Sequence, residues 1–206
     1  MLPAADREAL EGAVRTACDA GDHADATRRV LAAYGSEILS YLVARTHDAT
    51  LADDAFSLFC EHLWRGLPRF RWESTLRTWL YVLARNALVT IQRRPAQRRA
   101  PLPLSDSVVN GVANQVRSTT AVYLRTEVKD AVACLRRQLD PLDQDILLLR
   151  IGRRMSWLDI AKVLRDADGE EVDHASLKRQ AARFRKRFQR SKSALEDLAR
   201  EEGLIS

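Results

Sequence analysis

A chain of 206 residues is long enough for two small domains or one larger one, each with a real core. At 46% apolar and 30% charged it is not a disordered protein, and no run approaches the roughly 20 apolar residues that span a bilayer. The net charge of +5 hides a segregation: −6 over residues 1–61, +8 over 62–99 and +3 over 100–206.

Residues 174–192 alone hold 8 basic side chains and no acid. Two cationic segments in an otherwise acidic chain suggest two contacts with a polyanion. The plainer alternative is a pair of solvated helix faces. Only 8 Gly and 6 Pro are present, and good helix formers dominate, so an all-α fold is expected. Three widely spaced cysteines, Cys18, Cys60 and Cys134, argue against a disulfide framework and for a reducing compartment. The stretch Met1–Arg7 lacks the basic-then-apolar pattern of a signal peptide, and a cytoplasmic protein is expected.

In chain order, residues 6–20 form a short amphipathic helix with Leu10, Val14 and Ala17 on one face, closed by Gly21. A second helix runs over about 25–46, with Val30, Leu31, Tyr34, Ile38, Tyr41 and Leu42 inward. A third covers about 51–67, with Ala55, Phe56, Phe59, Leu63 and Trp64, and Pro68 breaks it. A fourth, capped by Ser74, runs to about Arg94 with Leu76, Trp79, Leu80, Leu83 and Leu88, and Trp79 is expected in the core. Residues 95–118 carry Pro95, Pro101, Pro103, Asn110 and Gly111 without a stripe and read as a flexible linker.

Helices resume near Thr119 with a stripe of Val128, Val132, Leu135 and Leu139. Asp140-Pro141 is a cap followed by proline at the first helical position, and Gly152 ends that helix. Ser156-Trp157-Leu158-Asp159 opens a short helix as a capping box, and Asp166–Gly169 breaks it. The last helix spans about 175–200, with Leu177, Ala181, Phe184, Phe188, Leu195 and Leu198 on one side.

Motifs for enzyme chemistry do not emerge. His23, His47, His62 and His174 lack ligand-spaced partners, so no metal is expected. No phosphate-binding glycine loop or nucleophile elbow occurs, so no cofactor and no catalytic residue is assigned. The cysteines lie on or near apolar stripes and read as core. Two segments rise above this background. Residues 70–88, with Arg93, interleave aromatics, arginines and hydroxyls, as a surface that stacks unpaired bases and holds phosphates would. Residues 156–165 and 175–192 form a helix-turn-helix pattern whose second helix has one apolar and one basic face.

Together these segments resemble the extracytoplasmic-function sigma factors of the sigma-70 family. Asp53-Asp54-Ala55-Phe56 through Leu63-Trp64 looks like that family's core-polymerase-binding helix. Arg77-Thr78-Trp79-Leu80 with Ala84-Arg85-Asn86 looks like its segment that melts and reads the −10 element. Leu139–Arg150 with Ser156–Ala161 looks like the start of its C-terminal domain, which reads the −35 element.

The resemblance implies two small helical domains joined by a flexible linker, the second a helix-turn-helix. On that reading 25–95 would be a region 2-like domain, 96–120 the linker and 121–206 a region 4-like domain, while residues 1–24, an N-terminal helical extension, lie outside the resemblance. Asp53, Asp54, Phe56, Phe59 and Glu61 would meet core RNA polymerase, although Phe56 and Phe59 equally suit a core. Arg71, Ser74, Thr75, Arg77, Thr78, Arg85, Asn86 and Arg93 would hold the −10 element. His174, Ser176, Lys178 and Arg179 would reach −35 base edges, with Arg183, Lys186 and Arg187 on phosphates.

The implied function is promoter delivery and opening by binding, without catalysis. The partners are core RNA polymerase and promoter DNA, with an anti-sigma factor as a further candidate and no membrane insertion. The turn from Arg165 to His174 is longer and more acidic than the family's usual one, which leaves the start of the recognition helix open. The main alternative is a helix-turn-helix regulator acting without polymerase, which leaves residues 70–94 unexplained. A protein–protein adaptor and an enzyme are the other rivals.

Overall fold

A computed structural model describes residues 3–93, 107–127, 137–165 and 173–201, which form helices joined by turns and short loops. The chain divides into two compact units, Met1–Arg125 and Thr126–Ser206.

The first unit holds α1 (Ala4–Asp19), α2 (His23–Thr46), α3 (Ala49–Gly66), α4 (Leu76–Arg93) and all but the last two residues of α5 (Ser107–Glu127), with a 3₁₀ turn at Leu67–Arg69 after α3. Gly21, at φ 76°, makes the left-handed exit from α1 that a side chain would resist. Asp22 caps α2 by accepting from the Asp25 N–H at 2.9 Å. The exit from α2 is equally abrupt: His47 takes a left-handed φ of 54°, and Asp48 at once caps α3 by accepting from Thr50 and Leu51. The N–H of Trp79 donates to the Thr75 carbonyl, and Thr75 Oγ1 accepts from Thr78 N–H at 3.2 Å, so Thr75 rather than Ser74 caps α4. Ser74 sits one residue too early to reach that donor.

The inward residues expected on α2 are all buried, as are Ala55, Phe56, Phe59 and Leu63 of α3 and Leu76, Leu80 and Leu88 of α4. Tyr41 and Tyr81 meet edge to face at 5.2 Å. Trp79 and Leu83 are half-buried rather than core. Cys60 is fully buried, and burial pushes its thiol up to about 12.

The reading of 95–118 as a structureless linker is corrected over 107–118, which belongs to α5. Ala113, Val116 and Thr120 form its buried stripe. Small residues beside Asn110 and Gly111 hide a stripe that becomes apolar only where it docks. Pro95, Pro101 and Pro103 lie outside the described residues, as do Val128, Val132, Cys134, Leu135 and the break at 166–169.

The second unit holds α6 (Pro141–Leu147), a π-helical turn (Leu148–Gly152), α7 (Trp157–Leu164) and α8 (His174–Glu201). Asp140 caps α6 by accepting from Leu142 N–H at 2.9 Å, with Pro141 at the first position. The turn at Gly152 closes with wider bonds, Arg153 N–H to the Leu148 carbonyl and Met155 N–H to the Leu149 carbonyl. Ser156 caps α7 by accepting from Asp159 N–H, and its hydroxyl donates to the Asp159 carboxylate at 2.6 Å. Ile146, Leu149, Met155, Ile160, Val163, Leu177 and Phe184 fill the core.

Candidate nucleic-acid interface

In the first unit the candidate residues gather around the loop between α3 and α4. Phe70 stacks on Trp79 at 4.5 Å, and Trp72 tilts against Phe70 at 4.8 Å. Trp72 holds a left-handed φ of 59°, which a bulky side chain adopts only where its surroundings impose it. Arg15 of α1 supplies part of that constraint, with its guanidinium 4.5 Å from the Trp72 ring centroid. Glu11, one helical turn earlier, accepts from the Leu76 N–H at 2.9 Å and so closes the first turn of α4. Beside the loop lies an open cavity of about 510 Å³, lined by Arg15, Cys18 and Asp19 of α1 and by Phe70, Arg71 and Trp72.

Sequence reasoning missed Glu11, Arg15 and Asp19. Their one local signal is the i, i+4, i+8 spacing along α1, and nothing near them names the loop as their destination. Of the residues assigned to −10 contact, Arg71, Thr75 and Arg93 are exposed, while Ser74, Arg85 and Asn86 are half-buried. Arg71 stands 3.9 Å from Glu73. Arg77 and Thr78 are corrected. Both are buried, at 7% and 2% exposure, so neither presents a surface to a nucleic acid.

Arg77 instead faces Glu37 of α2: its Nε donates to Glu37 Oε1 at 2.9 Å, and its Nη2 and the Tyr81 hydroxyl donate to the same oxygen. Burial opposes the Arg77 charge, but Glu37 outweighs it and the pKa is raised. The Thr78 hydroxyl is paired with Thr75 at 2.8 Å.

On α3, Asp53 is exposed and Asp54 and Glu61 are half-buried. Glu61 pairs with Arg65, and Asp53 with Arg117 of α5. Phe56 and Phe59 are corrected, because at 0% and 1% exposure they are core and offer no contact area. Their stripe with Ala52, Ala55 and Leu63 is the inner face of the helix.

In the second unit α8 begins at His174. Asp173 accepts there from Ala175 N–H at 3.1 Å. His174, Lys178, Arg179, Arg183 and Lys186 are exposed, and Ser176 is half-buried. The first two turns therefore present polar and cationic side chains at the surface, with further cations along the same helix. Arg187 is corrected: it donates to Asp143 at 2.6 Å and to Asp140 at 2.7 Å. Burial would raise the Asp143 carboxyl, but hydrogen bonds from Arg187 and Ser191 outweigh it and hold it below the usual carboxylate range. Arg150 donates to the Met155 carbonyl at 2.7 Å and lies 4.8 Å from the Trp157 ring, while Trp157 meets Phe188 edge to face.

Among the described residues no cluster could hold a metal, and no helix is long and apolar enough to cross a membrane. Residues 30–99, which hold the acidic helix and the aromatic loop, match the family model of sigma-70 region 2. The chain is 32% identical over 146 residues to the RNA polymerase sigma factor YlaC of Bacillus subtilis, covering 69% of this chain and 81% of that one. It is 30% identical over 136 residues to the RNA polymerase sigma-H factor of Pseudomonas aeruginosa, covering 64% and 70%.

A third relative, from Mycobacterium ulcerans, bears an enzyme's name, 6,7-dimethyl-8-ribityllumazine synthase, and is 31% identical over 124 residues, covering 56% and 74%. The region 2 match is independent of any relative's name, so that name carries no weight for this chain. No solved structure matches at a comparable level.

Proposed function

This chain belongs to the sigma-70 family of RNA polymerase sigma factors, among those of the extracytoplasmic-function type, and on that premise we propose how its residues divide the work. It acts in transcription initiation as a binding factor rather than an enzyme, and its partners are core RNA polymerase and promoter DNA. Residues 25–95 serve as the region 2 module, with the acidic face of α3 (Asp53, Asp54 and Glu61) docking on polymerase. Phe56 and Phe59 seat that helix from within.

The loop after α3 is the sink for unstacked −10 bases. Extruding a base costs a few kcal/mol, and stacking on an aromatic platform returns about 1–3 kcal/mol per base. Phe70 and Trp72 supply rings beside a cavity, and Arg71, Ser74, Thr75, Arg85, Asn86 and Arg93 supply phosphate and base-edge groups around it. That cavity is the observation carrying the proposal. Residues 121–206 serve as the region 4 module. His174, Ser176, Lys178 and Arg179 enter the major groove of the −35 element, and Arg183 and Lys186 lie on its phosphates.

An anti-sigma factor as a further partner, and a cytoplasmic location, rest on the family resemblance. The test is transcription from a promoter library with and without core polymerase, joined to gel shifts of the chain alone. Promoter-dependent transcripts requiring both components support the proposal. Tight duplex binding by the chain alone, with no transcripts, would replace it by a helix-turn-helix regulator.

A further inference from the structure

The segment expected to be a bare strap between two DNA contacts is, over its second half, a helix that meets α2 and α3 within the first unit. Val116 of α5 faces Gly35 of α2 so closely that a Cβ on Gly35 would lie 2.8 Å from a Val116 methyl. Ala113 and Thr120, on the same stripe of α5, are buried as well. From the neighbouring position Arg117 reaches across to α3. Its Nε donates to Asp53 at 2.5 Å, its Nη2 donates to the Ser57 hydroxyl at 2.7 Å, and the guanidinium lies 5.4 Å from the Phe56 ring centroid.

We propose that α5 is an intramolecular latch that covers the Asp53 side of α3 in the free chain and must leave when α3 docks on polymerase. The inference rests on the docking role of α3 given above. Asp53 is at once a member of the acidic docking set and the carboxylate that Arg117 occupies, so the two engagements compete for the same group. The latch is also built to release. The Thr120 hydroxyl is buried with no hydrogen-bond partner among the described residues, which weakens the seated state. Asp53 remains about half exposed within its pair with Arg117, so water screens that attraction. Removing α5 from α2 and α3 restores water to both groups.

A disulfide lock tests the latch. The Cβ of a residue at 35 would lie 3.5 Å from that of Val116, within the span a disulfide requires. The variant is Gly35→Cys with Val116→Cys in the full chain, with Cys18→Ser and Cys134→Ser to prevent mispairing. Cys60 stays, because its buried thiol is held protonated.

Affinity for core polymerase, read by fluorescence anisotropy, is expected to fall about 10-fold or more when the pair is oxidised and to recover on reduction. Arg117→Ala is expected to bind polymerase several-fold more tightly than the parent. Equal affinity of the oxidised and reduced forms, or unchanged or weaker binding by Arg117→Ala, overturns the latch. Asp54→Lys separates the two ideas. If it weakens binding while the lock does not, the latch alone fails. If it leaves binding unchanged, the docking role fails and the latch with it.

Discussion

One carboxylate oxygen of Glu37 on α2 accepts from both the Arg77 guanidinium and the Tyr81 hydroxyl of α4, with the Arg77 side chain 9% exposed and that of Glu37 15%. Breaking such a pair from one side is costlier than removing both partners, because a lone buried charge has lost its water. Glu37→Ala is expected to destabilise the chain by about 3–5 kcal/mol. The double variant with Arg77→Leu should lose clearly less than the sum of the single losses. Urea denaturation of the four proteins checks this, and additive losses would mean that Glu37 and Arg77 are not coupled.

The aromatic loop is tied from two sides, and the ties differ in kind. Trp79→Ala removes a half-buried ring stacked on Phe70 and should destabilise by about 3 kcal/mol, the lower end for a truncated tryptophan. Glu11→Ala removes only the acceptor of the Leu76 N–H and should cost about 0.5–2 kcal/mol, as loss of a helix cap does. Promoter opening, followed by permanganate reactivity of unpaired thymines, should fall in both variants. A melting temperature unchanged by Trp79→Ala would place that ring in solvent.

Helices α1 to α4 were legible because each carries its own punctuation. Asp22 and Asp48 are side-chain caps, and the stripes of α2 and α3 repeat at helical spacing, so expected and observed ends differ by one or two residues. α5 was not legible, because its stripe of Ala113, Val116 and Thr120 has little apolar contrast and its seat is a glycine on a distant helix. The candidate site divided along the same line. Exposed cations on α8 follow from the phase of its apolar face. Arg77 did not, since charge spacing along α4 cannot reveal a carboxylate waiting on α2. Phe56 and Phe59 were assigned to polymerase contact by their family pattern, although their spacing with Ala52 and Leu63 already marked the inner face.

Acid should loosen the second unit through Asp143. Its folded pKa is depressed, chiefly by Arg187 and Ser191 acting against burial, so its ionised form stabilises the fold. That stabilisation is fully present above the unfolded carboxyl pKa of about 4 and is lost as pH falls through the lower folded value. Asp143→Asn should therefore destabilise at neutral pH, and its deficit against the parent should shrink steadily below about pH 4. Denaturation series across that range, with amide exchange along α8 as the local readout, check it. A deficit independent of pH would exclude the ionised pair as its source.

Cations on α8 that look alike in the sequence should behave in three distinct ways. Arg179 is exposed in the second turn, where a recognition helix meets base edges, so Arg179→Ala should weaken promoter binding by about 1–3 kcal/mol and relax preference at one position. Lys186 lies further along and is exposed, so Lys186→Ala should weaken binding evenly across sequences and reduce the salt slope by about 1. Arg187, one residue on, is held by Asp140 and Asp143, so Arg187→Ala should lower stability with little change in salt slope. Holoenzyme binding to a promoter and its scrambled variant, titrated with salt beside thermal melts, separates the three. A reduced salt slope for Arg187→Ala at unchanged stability would mean that its pairing gives way to DNA.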